Sequence, residues 1–145
     1  MAMAETRQQQ MLSMALNHVS QVKDEYKGGE VARIYGGLCH KFPVMIRTCG
    51  LCQAAAFIES KEGKDDRGKA HIFIRKHALE VLKKFNVIGN ASNKLSDAVR
   101  NLDTANYLLA TRLITRAWIY YKRFAESILG VESAQGAEDA GSNQK

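Results

Sequence analysis

Residues 106–130 read NYLLATRLITRAWIYYKRFAESILG, and the period of this stretch decides the fold. Counting about 100° per residue from Leu109, the residues Leu109, Leu113, Ala117, Tyr120, Phe124 and Ile128 fall within an arc of about 100°. Tyr121, Ile114 and Trp118 widen that arc to about 180°. So broad an apolar face predicts a helix wrapped by other helices. It starts near Asp103 or Thr104 and runs to about Leu129, with Gly130 as its stop. On the remaining edge, Arg112, Arg116 and Arg123 fall between about 300° and 340°, and Glu126 is the only acid nearby.

Moving outward, the same period recurs. Met11, Ala15, Val19, Val22 and Tyr26 form one stripe and predict a helix from about Glu5 to Lys27, ended by Gly28-Gly29. Ile74, Ala78, Val81, Leu82 and Phe85 predict another over 70–85. Between them, Glu30 to His40 reads as a short helix containing Gly36-Gly37. That pair either allows close backbone approach or breaks the helix. Pro43 predicts a boundary, because it disfavours the helical conformation in the residue before it. Pro43 to Ser60 then reads as a helix apolar almost all round, central to a bundle or covered by a partner. Glu59 to Lys69 (ESKEGKDDRGK) reads as a mobile, solvated loop, Asp65-Asp66 included. In 86–101, Ile88, Leu95, Val99 and, just beyond, Leu102 can pack, with Ser92 or Asn93 capping a short helix. No strand-like alternation and no repeat of 20–50 residues competes. The expected fold class is all-α, a compact bundle of five to six helices in one domain over 1–130. Residues 131–145 read as a disordered acidic tail.

Composition supports this and excludes other classes. The chain has 145 residues, 46% hydrophobic and 25% charged, with a single proline. These are globular values, and so little proline favours long helices. No secretory signal is expected, since Met1 to Gln10 lacks an apolar segment. The longest nearly uncharged stretch, 42–58, is interrupted by Arg47 and is short for a membrane span. A cytoplasmic protein with no membrane partner is expected. The net charge is +6. The tail is acidic, so residues 1–130 carry +8, a balance that suits a polyanionic partner.

Catalytic patterns are missing. No phosphate-binding glycine motif occurs, no serine lies in a GxSxG turn, and His71 and His77 are six residues apart, not at metal-pair spacing. No enzyme activity and no cofactor are expected. Cys49 and Cys52 make a CxxC, with Cys39-His40 upstream, so a zinc or a redox site is arithmetically open. The redox motif lacks its usual βαβ setting. Three small, buried core cysteines are the plainer reading.

The basic residues divide. Arg112, Arg116 and Arg123 align over about three turns and can follow a phosphate backbone; otherwise they are a solvated edge. Arg47 is the lone charge on an apolar helix and faces either an internal acid or a phosphate, near Lys41 and Arg33. Lys76, Lys83 and Lys84 alternate with Glu80 and read as a solvated face.

Residues 34–61, IYGGLCHKFPVMIRTCGLCQAAAFIESK, carry a resemblance. Lys41, Pro43, Met45-Ile46, Gly50-Leu51, Ala54 to Ala56 and Phe57 stand in the order found in the small helical subunit of the type III-B CRISPR (Cmr) effector complex. The basic and aromatic helix at 106–130 is also similar. Cys49 stands where that family often carries Asn, and the 59–69 segment and acidic tail have no counterpart. The resemblance implies a non-catalytic, all-α subunit of an RNA-guided ribonucleoprotein of antiviral defence. It implies stacking with copies of itself, contact with the backbone and large polymerase-like subunits, and a place along the guide–target RNA. The residues expected to contact RNA are Lys41, Arg47, Arg112, Arg116 and Arg123. Of the arginines only Arg47 falls in a matching motif, Lys41 assists it, and the others come from the helical stripe. A helical protein–protein scaffold and a cysteine-based metal or redox protein are the competing readings.

Overall fold

The computed structural model describes residues 4–27 and 29–133, and these form six helices and no strand. The first, α1 (Arg7–Tyr26), opens on a capping box. Thr6 accepts from the Gln9 amide while Gln9 accepts from the Thr6 amide. Its buried residues are Met11, Ala15, Val19 and Val22, the predicted stripe.

The second helix, α2 (Glu30–Cys49), corrects the expected boundary at Pro43, which lies inside it. A proline there removes one backbone bond and costs about 3 kcal/mol in an isolated helix. Tertiary packing offsets that cost. Phe42 is fully buried edge-on to Trp118, with ring centroids 5.0 Å apart, and Pro43 and Ile46 are buried beside it. The break falls at Gly50, at φ +88°, a conformation that L side chains rarely adopt. α3 (Leu51–Ser60) follows directly. The segment expected to be apolar on all sides therefore spans two helices, and Val44 and Phe57 remain 48% and 40% exposed.

The expected mobile loop over 59–69 is also corrected. Only 61–65 separates α3 from α4 (Asp66–Lys84), and Asp65 caps α4 by accepting from the Gly68 amide at 2.8 Å. Gly68 has no room for a side chain, because an added Cβ would lie 2.3 Å from the Gly63 backbone. Arg75 of α4 bonds both Glu62 and the Asn93 carbonyl, which ties the turn to the following segment. α5 (Leu95–Arg100) starts after Lys94, without the expected Ser92 or Asn93 cap. It is held to α3 because Glu59 accepts from the amide and hydroxyl of Ser96.

α6 (Thr104–Ser127), capped by Asp103, is the longest helix. It packs on α1 and α2 and runs antiparallel to α2. Three contacts set that alignment: Tyr107 with the Gly50 region, Trp118 with Phe42, and Val131 with His40. Gly130, at φ +72°, turns the chain, and Val131 then docks on Gly36. A Cβ on Gly36 would lie 2.7 Å from the Val131 side chain, so Gly36 does serve close approach. His40 Nε2 donates to the Val131 carbonyl at 2.8 Å. Residues 134–145 of the expected tail lie outside the described residues.

Candidate nucleic-acid interface

The two faces of α6 have opposite chemistry. Its inner face places Ala110, Leu113, Ile114, Ala117, Trp118, Tyr121 and Ala125 in the core. Trp118 stacks on Tyr121 at 4.1 Å. Around Tyr121 the four long helices share one polar aromatic cluster. His18 of α1 and His77 of α4 stack at 4.0 Å, with their planes 3° apart. His18 Nε2 lies 2.5 Å from Glu80 Oε2, and a carboxylate only accepts, so that nitrogen carries the proton. In the neutral ring, which burial favours, Nδ1 is then the acceptor, and the Tyr121 hydroxyl donates to it at 2.6 Å. His77 Nδ1 shares a 2.6 Å hydrogen bond with Tyr35 of α2.

Burial lowers the His18 pKa against the opposing pull of Glu80. It holds His77 well below the usual imidazole range, helped by His18 and Lys76. The Tyr35 and Tyr121 hydroxyls are pushed well above theirs, again chiefly by burial. Tyr35, His77 and Tyr121 are buried, while His18 is half-buried and its partner Glu80 is exposed, so the cluster reaches the surface only through that pair. Sequence reasoning weighed His77 only in a rejected metal pair with His71 and gave His18 no role. The available signal was position: His18 precedes Val19 of the buried stripe, and His77 precedes Ala78.

The outer face carries the expected stripe. Arg112, Arg116 and Arg123 are all exposed. Among the described residues none of them is held in an ion pair, whereas Arg75 pairs with Glu62, Arg33 with Glu30 and Arg100 with Asp97. Of these pairs only Arg75–Glu62 links separate segments, and among the described residues the guanidinium groups of the α6 stripe have no acid partner. At a rise of about 1.5 Å per residue, Arg112 and Arg116 stand one turn apart and Arg123 two turns further. Ile119 fills the gap and Leu108 precedes the stripe, at 54% and 59% exposed.

Arg47 is exposed near the end of α2, and among the described residues it makes no ion pair with an acid of another helix. The antiparallel alignment puts it level with the part of α6 between Tyr107 and Trp118, which holds Arg112 and Arg116. Lys41 differs from the others, being half-buried and already partnered. The cysteines separate as well. Cys39 is buried, as expected, but Cys49 and Cys52 are exposed, which corrects the core reading for those two. Among the described residues no group of three or more His, Cys, Asp or Glu is placed to hold a metal ion. No described helix is long and apolar enough to cross a membrane.

Comparison with known proteins gives this geometry a context. Residues 7–128 match the family described as CRISPR-associated protein (Cas_Cmr5). The chain is similar to the CRISPR system Cmr subunit Cmr5 of Thermus thermophilus, with 32% identity over 101 residues, covering 70% of this chain and 80% of the relative. It is also similar to the crystal structure of a CRISPR-associated Cmr5 family protein from Thermus thermophilus. There the TM-score is 0.68 at 29% identity, over 87% of this chain and 99% of that one. A match over nearly all the described helices, joined to a shared fold at this identity, is enough for one conclusion: the chain belongs to the Cmr5 family of CRISPR-associated proteins.

Proposed function

We propose that this protein is a non-catalytic structural subunit of a type III-B Cmr effector complex, and that its α6 edge runs along the guide–target RNA. Membership of the family supports the place in a Cmr complex. The observation that carries the RNA contact is the row of exposed Arg112, Arg116 and Arg123, which pair with no acid among the described residues, on a chain of net charge +6. Such a row suits sequence-independent contact, because phosphates position a protein while base pairing to a guide reads the sequence. Arg47 extends the surface from α2, and Lys41 contributes least, being already engaged. Residues 1–130 act as one helical domain followed by an acidic tail, in the cytoplasm, with further copies of the chain and the backbone and large subunits as neighbours.

The test is binding of a guide–target RNA duplex across a salt series. Affinity is expected to fall log-linearly with salt, and each of Arg112→Ala and Arg116→Ala is expected to lower the slope by about 1. A flat salt response would overturn the RNA reading and leave a protein scaffold, which the exposure of Leu108 and Ile119 within the stripe would then favour. A tagged pull-down from the host separates the two at the level of the complex. Short RNAs sharing a repeat-derived end, together with other CRISPR subunits, support the first reading; protein partners without RNA support the second.

A further inference from the structure

We propose that Cys49 and Cys52 form a redox-active dithiol that closes to an internal disulfide across the Gly50 break. The inference is independent of the RNA reading. Both thiols are exposed, while the third, Cys39, is enclosed, and burial pushes its pKa up. Only Gly50 and Leu51 separate the pair.

In an unbroken helix, residues three apart hold their Cβ atoms about 5–6 Å apart, which is too far for a disulfide needing about 3.5–4.5 Å. Here the helix is broken between them. Cys49 is the last residue of α2, and Cys52 lies in the first turn of α3. Gly50, at φ +88° and ψ 162°, is at once the C-cap of one helix and the N-cap of the other. Gly50 carries no side chain to restrict its φ, so it is the point in the pair's span at which rotation changes the separation of the two thiols. The α3 side is anchored from outside: the Tyr107 hydroxyl of α6 accepts from the Cys52 amide at 3.0 Å.

The oxidant is a low-molecular-weight disulfide such as oxidised glutathione. One thiolate attacks its S–S bond, forming a mixed disulfide and releasing one glutathione thiolate. The second cysteine then displaces the other. The two cysteines lose two electrons and two protons, and one glutathione disulfide becomes two thiols.

The full-length chain is equilibrated over a series of oxidised-to-reduced glutathione ratios, quenched with acid, denatured, alkylated and digested with trypsin. Cleavage after Arg47 and Lys61 isolates residues 48–61 with both cysteines, and cleavage after Arg33 and Lys41 isolates residues 34–41 with Cys39. The expected result is peptide 48–61 lighter by two hydrogens and unalkylated at oxidising ratios, with peptide 34–41 alkylated throughout. Cys49→Ser and Cys52→Ser should each retain one glutathione on the surviving thiol. Two glutathiones on peptide 48–61, a disulfide-linked dimer, or two free thiols across the whole series would each overturn the proposal.

Discussion

The inner and outer faces of α6 share one backbone and differ in everything else. Inside, Trp118 and Tyr121 are fully buried, and Tyr121 joins the His18–Glu80 pair and lies against His77. Outside, Arg112, Arg116 and Arg123 touch water. The inner face is where stability concentrates, since buried aromatics carry large transfer and packing terms. The outer face contributes little to folding and so is free to be shaped by a ligand. Substitutions on the two faces should therefore separate stability from binding, and four expected outcomes put that separation at risk.

The largest effect is expected from Trp118→Ala. It removes a ring stacked on Tyr121 and packed edge-on to Phe42, and should cost about 3–5 kcal/mol in chemical denaturation. A cost below about 1 kcal/mol would mean that the inner face is not the stabilising one. Next comes Gly36→Ala, which forces a methyl against Val131. Overpacking of this kind should cost about 1–3 kcal/mol and release the Val131 contact, visible as faster hydrogen exchange after Gly130.

The third outcome concerns pH. His18 and His77 have folded pKa values below their unfolded value of about 6.5, mainly through burial. Above that pH both states are neutral at these groups, and the stability is fully present. As pH falls through it toward the lower folded values, the unfolded chain takes up protons first, and stability is lost. Denaturation midpoints should therefore fall between pH 7 and pH 5, and less so in His77→Gln. RNA affinity should not change over the same range while the chain stays folded, because arginine does not titrate there.

The smallest effect on folding is expected from Arg112→Ala, Arg116→Ala and Arg123→Ala. Each should shift stability by no more than about 0.5 kcal/mol. A larger loss would show that the stripe braces the fold.

Much of the helix inventory was legible because a 3.6-residue period leaves its mark on any amphipathic segment. The stripes of α1 and α4 are buried as read, apart from half-buried Tyr26 and Phe85. The arginine edge of α6 is exposed as read. What failed was local punctuation. Pro43 is a strong stop signal on its own, yet burial of Phe42 and Ile46 carries the helix through it. The charged run around Asp65-Asp66 looks like a loop by composition, although Asp65 is a helix cap. Cys49 and Cys52 look like core residues because their neighbours are apolar, yet they lie on the outer side of the α2–α3 turn.

The sequence by itself determined the class of fold, the buried face of each long helix and the basic outer edge of α6, because these depend on periodicity within one segment. Tertiary structure alone decided that His18, Tyr35, His77 and Tyr121 meet, that Val131 occupies the space left by Gly36, and which arginines are spent in ion pairs. Those outcomes depend on the alignment of helices far apart in the chain. No spacing rule within a single helix encodes that alignment, which is set by how the four long helices fill one shared core.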